Sequence, residues 1–247
     1  MNDFYHWFWA FDFAGEPMPF FQRTHGITIL ALALLTALCV WLGRKGDSEQ
    51  RRKIRRTLGW ILLINEVLWH VWAWHNHYWS LQSMLPLHMC SVMVWLNAWM
   101  LLTDNLSYYP FAYFLGIGGA IQALITPDTG LYDFPHFRYW QTFISHGTLV
   151  AVGVYLTWGE GYRPTWKGLR QVLVYTLIYA VPVFFINFWV QGNYLFLRHK
   201  PTAPTLIDFL GPWPLYILPL LLIAFVVFGL MYLPWGIAGY FAKQKQS

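Results

Sequence analysis

Seven blocks of predominantly apolar residues follow one another through this sequence, with only short polar breaks between them. They fall at residues 26–42, 57–74, 84–102, 108–126, 139–158, 169–191 and 213–231. A helix rises ~1.5 Å per residue, so roughly 20 such residues cross a ~30 Å hydrocarbon slab. Lipid admits only helices and closed barrels, and continuous apolar runs fit helices, not the alternating strands of a barrel. Charged residues make up 11% of the chain, too few to dress a soluble surface, which carries about 25%. The expectation is an all-α polytopic membrane protein, a bundle of seven transmembrane helices. Residues 1–247 leave no room for a separate soluble domain, so a single domain is expected.

The placement of Lys and Arg orients the bundle. With the N-terminus out and the C-terminus in, the cytoplasmic segments hold twelve basic residues and the outer segments four (Arg23, Arg138, Arg198, Lys200). That bias follows the positive-inside rule. Seven of the twelve (Arg44, Lys45, Arg51, Arg52, Lys53, Arg55, Arg56) sit in one expected cytoplasmic loop, residues 43–56. Basic runs beside membrane helices bind anionic lipid heads, so the net charge of +5 implies lipid partners and no nucleic acid. Residues 1–25 are read as an outer interfacial segment. Phe4, Trp7, Phe8, Trp9, Phe11 and Phe13 suit the headgroup level. Asp12, Glu16, Pro17 and the lack of a basic start exclude a signal peptide that would be removed.

No internal repeat is visible, which weakens a repeat-built transporter. Gly116, Gly119, Ala120 and Ala123 place small residues where a neighbouring helix can approach closely. Pro182 removes a backbone bond inside the sixth block and predicts a kink. Glu66 and His70 make the second block less apolar than a lipid-facing helix, so it is expected inside the bundle. The last block carries no ionisable residue from Leu215 to Met231 and is expected at the lipid-facing periphery.

With this topology all nine histidines fall on the outer half. His6, His75, His77 and His199 need no more than interfacial tolerance. His70, His88 and His146 fall inside the hydrocarbon zone, where an ionisable group is costly and marks a candidate site. Cys90 lies about 9 Å and His146 about 10 Å into their blocks, so the two can meet if their helices are neighbours. Gln122 and Thr126 reach the same level, and Glu66 and His70, four apart, share one helix face. His146 as base and Cys90 as nucleophile would attack an ester carbonyl, with His88 or Gln122 steadying the oxyanion. The plainer reading of Cys90 is a small buried core residue. Cys39, with no histidine nearby, is read as structural. A Cys39–Cys90 disulfide is not expected, because the depths differ by roughly 10 Å and the bond tolerates less than ~7 Å between Cα atoms.

His70, His75, His77, His88 and Cys90 are zinc-ligand types, but no H-x-x-x-H or H-E-x-x-H spacing occurs, so no metal site and no cofactor is expected. The candidate cavity opens outward, is closed toward the cytoplasm, and is ringed by His70, His88, Cys90, Gln122, Asp128, His136 and His146. Glu66 and Asn187 complete the candidate substrate-binding set, with membrane phospholipid or lysophospholipid as substrate. A small-solute transport or binding protein using Glu66, Gln122 and Asn187 is the alternative, and a non-catalytic membrane scaffold is a third.

The segments Leu85-Pro-Leu-His88-Met-Cys90-Ser, Thr126-Pro-Asp128 and Phe134-Pro-His136-Phe, followed by Ser145-His146-Gly, carry a resemblance. The sequence resembles the YwaF-like family of bacterial integral membrane proteins, related to the eukaryotic transmembrane protein one-sixty-four, an acyltransferase that remodels ether phospholipids. The similarity runs from His25 to the last block. It implies a Cys–His acyl-transfer site, carried here by Cys90 and His146, and a place in the bacterial cell membrane. Similar membrane hydrolases pair a Thr with a His on a comparable scaffold.

Overall fold

The computed structural model describes residues 2–12, 18–19, 21–201 and 206–244. Phe13, Glu16, Pro17 and Lys245, used above in reading the termini, lie outside the described residues. The chain is all-helical, 75% helix, with no strand among the described residues. In order come α1 (Asn2–Phe8), α2 (Arg23–Lys45), α3 (Ser48–His75) and α4 (Met89–Leu102). Then α5 (Tyr109–Phe111) runs through a π-helical stretch, Ala112–Ile117, into α6 (Gly118–Ile125). Next, α7 (Phe137–Val154) ends in a second π-helical stretch, Tyr155–Gly159, before α8 (Trp166–Val190) and α9 (Ile217–Gln244).

Among the described residues four stretches are long and apolar enough to cross a membrane: Arg23–Lys45, Leu106–Ile125, Trp166–Val190 and Ile217–Ala242. The first and last bury only 6% of their apolar window within the protein. Leu30, Leu34, Leu38 and Trp41 along α2 and Leu218, Leu222, Leu230 and Leu233 along α9 are exposed. Contiguous apolar faces of this size are not left to water; hydrocarbon is the solvent that accepts them. α9 thus has the lipid-facing character expected of the last block. α3 differs from expectation, because it is two-faced and not wholly interior. Leu58, Leu62, Asn65, Glu66, Trp72 and Ala73 are buried, while Trp60, Ile64, Val67, Val71 and Trp74 are exposed. The 3.6-residue period divides an inward polar face from an outward apolar one.

Three boundaries depart from the sequence reading, each for a local reason. The basic segment 43–56 is not a loop but a tight turn between two helices. Gly46 ends α2, and Asp47 caps α3 by accepting the Gln50 N–H at 2.8 Å. Helix α4 begins at Met89, five residues later than the expected start at Met84, because Pro86 disfavours helical backbone at the residue before it. This places Cys90 in the first turn of α4 and His146 nine residues into α7, so the matched depths inferred by counting do not hold along the helices. The last helix begins at Ile217 and runs on to Gln244.

The helices sort into two compact units. The first contains Met1–Trp79 and Cys90–Tyr162. Its centre is α7, which packs along α3, against the Ala112–Ile117 stretch and against α6. Gly153 makes that approach possible, since a Cβ there would meet the Ala112 carbonyl oxygen at 2.7 Å. Of the small residues flagged in the sequence, Gly116 faces the Leu149 carbonyl and Ala120 is fully buried, whereas Gly119 faces open space. The N-terminal segment is strapped to this unit by three successive carbonyls. Trp9 O accepts Trp72 Nε1–H at 2.8 Å, Ala10 O pairs with His136 Nε2 at 3.1 Å, and Phe11 O accepts the Tyr132 hydroxyl at 2.8 Å.

The second unit contains Ser80–Met89 and Arg163–Ser247. Here α8 and α9 pack together, and helix continues through Pro182 inside α8. The non-helical stretch before Met89 has its backbone groups satisfied by tyrosines. The Tyr194 hydroxyl accepts Leu85 N–H at 2.9 Å and donates to Leu81 O at 2.8 Å, and the Tyr179 hydroxyl donates to Leu87 O at 3.1 Å. Irregular backbone is tolerated in a membrane protein only where protein supplies such partners. Leu85 and Leu87 complete the anchorage by packing on Val183, Val190, Tyr194 and Leu197.

Candidate functional site

The polar residues of α3 and α7 face each other in the first unit. Along α7, Arg138, Gln141, Thr142, Ser145 and His146 recur at helical spacing, and Gln141, Thr142 and Ser145 are buried. Along α3, Asn65, Glu66, Trp69 and His70 form the matching stripe. Asn65 Nδ2 donates to Gln141 O at 3.1 Å and ties the two helices together. Burial forces such groups to find partners, and the pattern of partners separates candidate reactive groups from structural ones.

His146 is half-buried, and its Nδ1 lies 2.8 Å from Thr142 O, one turn back. A carbonyl can only accept, so Nδ1 carries the proton and Nε2 presents its lone pair. His70 is fixed the other way round. Its Nδ1 accepts from Trp79 Nε1 at 3.1 Å, so Nε2 carries the proton, 3.8 Å from Glu66 Oε1. Glu66 is buried at 3% exposure. Cys90 is a free, half-buried thiol within electrostatic reach of Glu66. It makes no hydrogen bond to His146 or to any other described residue. Cys39 is also free.

The remaining candidates have other placements. His136 is fully buried and caps α7, its Nδ1 accepting Arg138 N–H at 3.1 Å while its ring stacks on Tyr132 at 4.4 Å. Gln122 is exposed and folds back on its own helix, donating to Gly118 O at 3.3 Å. Asp128 is exposed and accepts Gly130 N–H at 3.3 Å in a local turn. His88 and Asn187 belong to the second unit. The His88 ring lies edge-on to Tyr194 at 5.2 Å. Asn187 is fully buried and grips the Tyr194 backbone twice, donating to its carbonyl at 2.8 Å and accepting its N–H at 2.6 Å. Asn187 thus fixes the tyrosine whose hydroxyl holds the stretch leading to Cys90.

One residue here was counted in the sequence only as an outer charge. Arg138 sets its guanidinium carbon over the Trp69 ring, 3.7 Å from the centroid, and donates through Nη1 to Gln141 Oε1. It lies within electrostatic reach of Glu66, Asp128 and His146, yet no carboxylate among the described residues is close enough to form an ion pair with it. The sequence did carry a signal for it: Arg138 begins the polar stripe that ends at His146. Among the described residues no group of three or more His, Cys, Asp or Glu could hold a metal ion.

No curated protein and no solved structure matches the chain. The family model of the TMEM164 family matches residues 20–232, which takes in α2 through most of α9 and every candidate residue above. This chain is a membrane protein and belongs to the TMEM164 family.

Proposed function

We propose that the chain is a lipid acyltransferase or esterase embedded in the membrane, with Cys90 as nucleophile and His146 as base. The observation that carries this reading is the fixed tautomer of His146. With Nδ1–H committed to Thr142 O, Nε2 is the basic nitrogen, in the same unit as the Cys90 thiol. In the first step Nε2 takes the Sγ proton and the thiolate adds to a lipid ester carbonyl. The carbon–oxygen ester bond breaks, and the leaving alkoxide takes that proton back from His146. A second lipid hydroxyl, or water, then attacks the acyl-thioester and gives its proton to Nε2; the carbon–sulfur bond breaks, and the departing thiolate takes that proton from Nε2 to restore the thiol. No hydrogen bond joins Cys90 to His146, so the reading requires bound lipid to bring thiol and imidazole together, as catalytic contacts can tighten when substrate arrives.

In this reading all seven long helical stretches cross the bilayer, with the N-terminus out and the reactive pair in an outward-facing pocket that includes Glu66 and His70. The resemblance to YwaF-like proteins supports a place in a bacterial cell membrane. The substrate is a membrane phospholipid or lysophospholipid, and exposed basic residues near the Gly46 turn meet anionic lipid heads. The test supplies purified protein with phospholipid and lysophospholipid and follows acyl exchange by mass spectrometry. Wild type turns over and Cys90→Ala does not; equal turnover by both removes Cys90 as nucleophile. Labelling of a cysteine at Ser48 by an impermeant reagent on intact cells would reverse the orientation.

A further inference from the structure

Arg138 presents a problem of charge. A guanidinium half-withdrawn from water needs a counter-charge or several acceptors to offset the loss of its hydration. Stacking on an aromatic face offsets part of that loss but satisfies none of the N–H donors. Trp69 supplies that face and Gln141 Oε1 takes Nη1. Nε and Nη2 have no hydrogen-bond partner among the described residues, and neither is sealed from solvent. They form the edge of the guanidinium that offers two parallel N–H groups, the arrangement that matches two oxygens of a phosphate. With Trp69 covering one face and Gln141 one corner, that edge is the side left for an anion.

We propose that Arg138, held over the face of Trp69, binds the phosphate of a phospholipid or lysophospholipid headgroup. The proposal rests on the lipid reading above for the source of the phosphate, but it does not depend on Cys90 chemistry. The surroundings favour a lipid over a free ion. The guanidinium of Arg138 lies beside a stacked aromatic pair (Trp69 at 3.7 Å, Trp72 at 6.0 Å) in a unit whose outer faces are apolar. His146 is eight residues, about two turns, further along the same helix, about 12 Å at 1.5 Å per residue. Glu66 bears on the site with the opposite sign. An ionised carboxylate within electrostatic reach of Arg138 competes with an incoming anion, so its removal strengthens binding.

Equilibrium binding of radiolabelled lysophosphatidylcholine to the full chain in detergent tests this, in a Cys90→Ala background that separates binding from turnover. Arg138→Gln is expected to weaken binding at least tenfold, Arg138→Lys less because it keeps the charge without the fork, and Glu66→Gln to tighten it. A monoacylglycerol of the same chain length, which lacks phosphate, competes poorly. Equal affinity of the wild-type and Arg138→Gln forms overturns the site, as does full competition by the monoacylglycerol. Displacement by inorganic phosphate as readily as by unlabelled lysophosphatidylcholine overturns the lipid source. Should Arg138→Gln not fold, Arg138→Lys and Trp69→Leu carry the test, and undiminished binding by both overturns the proposal. A Glu66→Gln form that loses stability without gaining affinity makes Arg138 the counter-ion of Glu66 and also overturns it.

Discussion

Two arginines in the same unit have been given opposite surroundings. Arg55, near the start of α3, donates through Nη1 to both oxygens of Glu160 at 2.8 and 2.9 Å and through Nε and Nη2 to Asp104 at 3.0 and 2.8 Å. Arg52 adds a second cation to Asp104 at 3.0 Å. The guanidinium of Arg55 is thus satisfied within the protein, and it ties α3 to the turns that follow α4 and α7. Arg138 faces α3 at Trp69, fourteen residues or roughly 21 Å further along that helix, with an aromatic face, one glutamine and no carboxylate. The closed cluster has the form of a structural clamp. The open one keeps donors in reserve, as a binding group must. Mutation at either end should therefore fail in a different assay.

The largest effect expected is on catalysis at the open end. Cys90→Ala and His146→Gln should each lower acyl exchange by about a thousandfold or more, and the double variant should be little worse, since members of a reacting pair are not additive. Arg55→Gln should leave exchange per folded molecule within a few-fold of wild type. A comparable collapse in Arg55→Gln, measured on monodisperse protein, would break the division between the two ends.

Next in size is the stability of the closed end. Arg55→Gln strands Glu160, whose side chain is 6% exposed, next to Asp104. Breaking such a pair from one side costs roughly 3 kcal/mol, to be seen as a lower unfolding midpoint in detergent. Arg138→Gln should shift that midpoint much less, because no carboxylate is stranded. Equal shifts would make both arginines structural.

Acid should distinguish the ends as well. Burial pushes the Asp104 carboxyl up, but the hydrogen bond and charge of Arg55, with the charges of Arg52 and Arg56, outweigh it and hold the carboxyl below its ordinary value. A depressed carboxylate stabilises the fold above its unfolded pKa of about 3.9, and that contribution fades as pH falls through the lower folded value. Thermal stability should be flat near neutrality and decline below about pH 4. Asp104→Asn should start lower and flatten that decline. An unchanged acid limb in Asp104→Asn would remove Asp104 from the clamp's titration.

How much of this the sequence could reveal depended on whether the signal was local. The apolar runs of α2, α8 and α9 are continuous, and lipid-facing helices need little else, so they were legible. The polar stripe from Gln141 to His146 is also local, although only His146 stands out from it in the sequence reading. The late start of α4 was legible only through Pro86, because the hydroxyl that satisfies Leu81 and Leu85 comes from Tyr194, more than a hundred residues away. The cap formed by His136 was not legible, since it needs the Ala10 carbonyl from the N-terminal strap. Arg138 was mistaken for an ordinary outer charge because what makes it unusual, Trp69 beneath it and no carboxylate beside it, belongs to another helix.

The smallest effect expected is at Gln122, and it tests how far the open end extends. Its depth by residue counting made it a candidate oxyanion donor, but depth does not determine which way a side chain turns. On α6 it is exposed, and its amide nitrogen is 3.3 Å from the Gly118 carbonyl one turn back. A donor of that kind is occupied, if weakly, and lies on the face away from the buried Ala120 and Leu124. Removing a group that steadies an oxyanion typically costs a hundredfold or more, whereas truncating an exposed amide changes stability by about 0.5 kcal/mol or less. Gln122→Ala should therefore retain acyl exchange within about twofold of wild type, a negligible loss beside a displaced oxyanion donor. A hundredfold loss in well-folded Gln122→Ala would mean that the side chain turns inward when lipid binds, and the open end would then include α6 as well as α3 and α7.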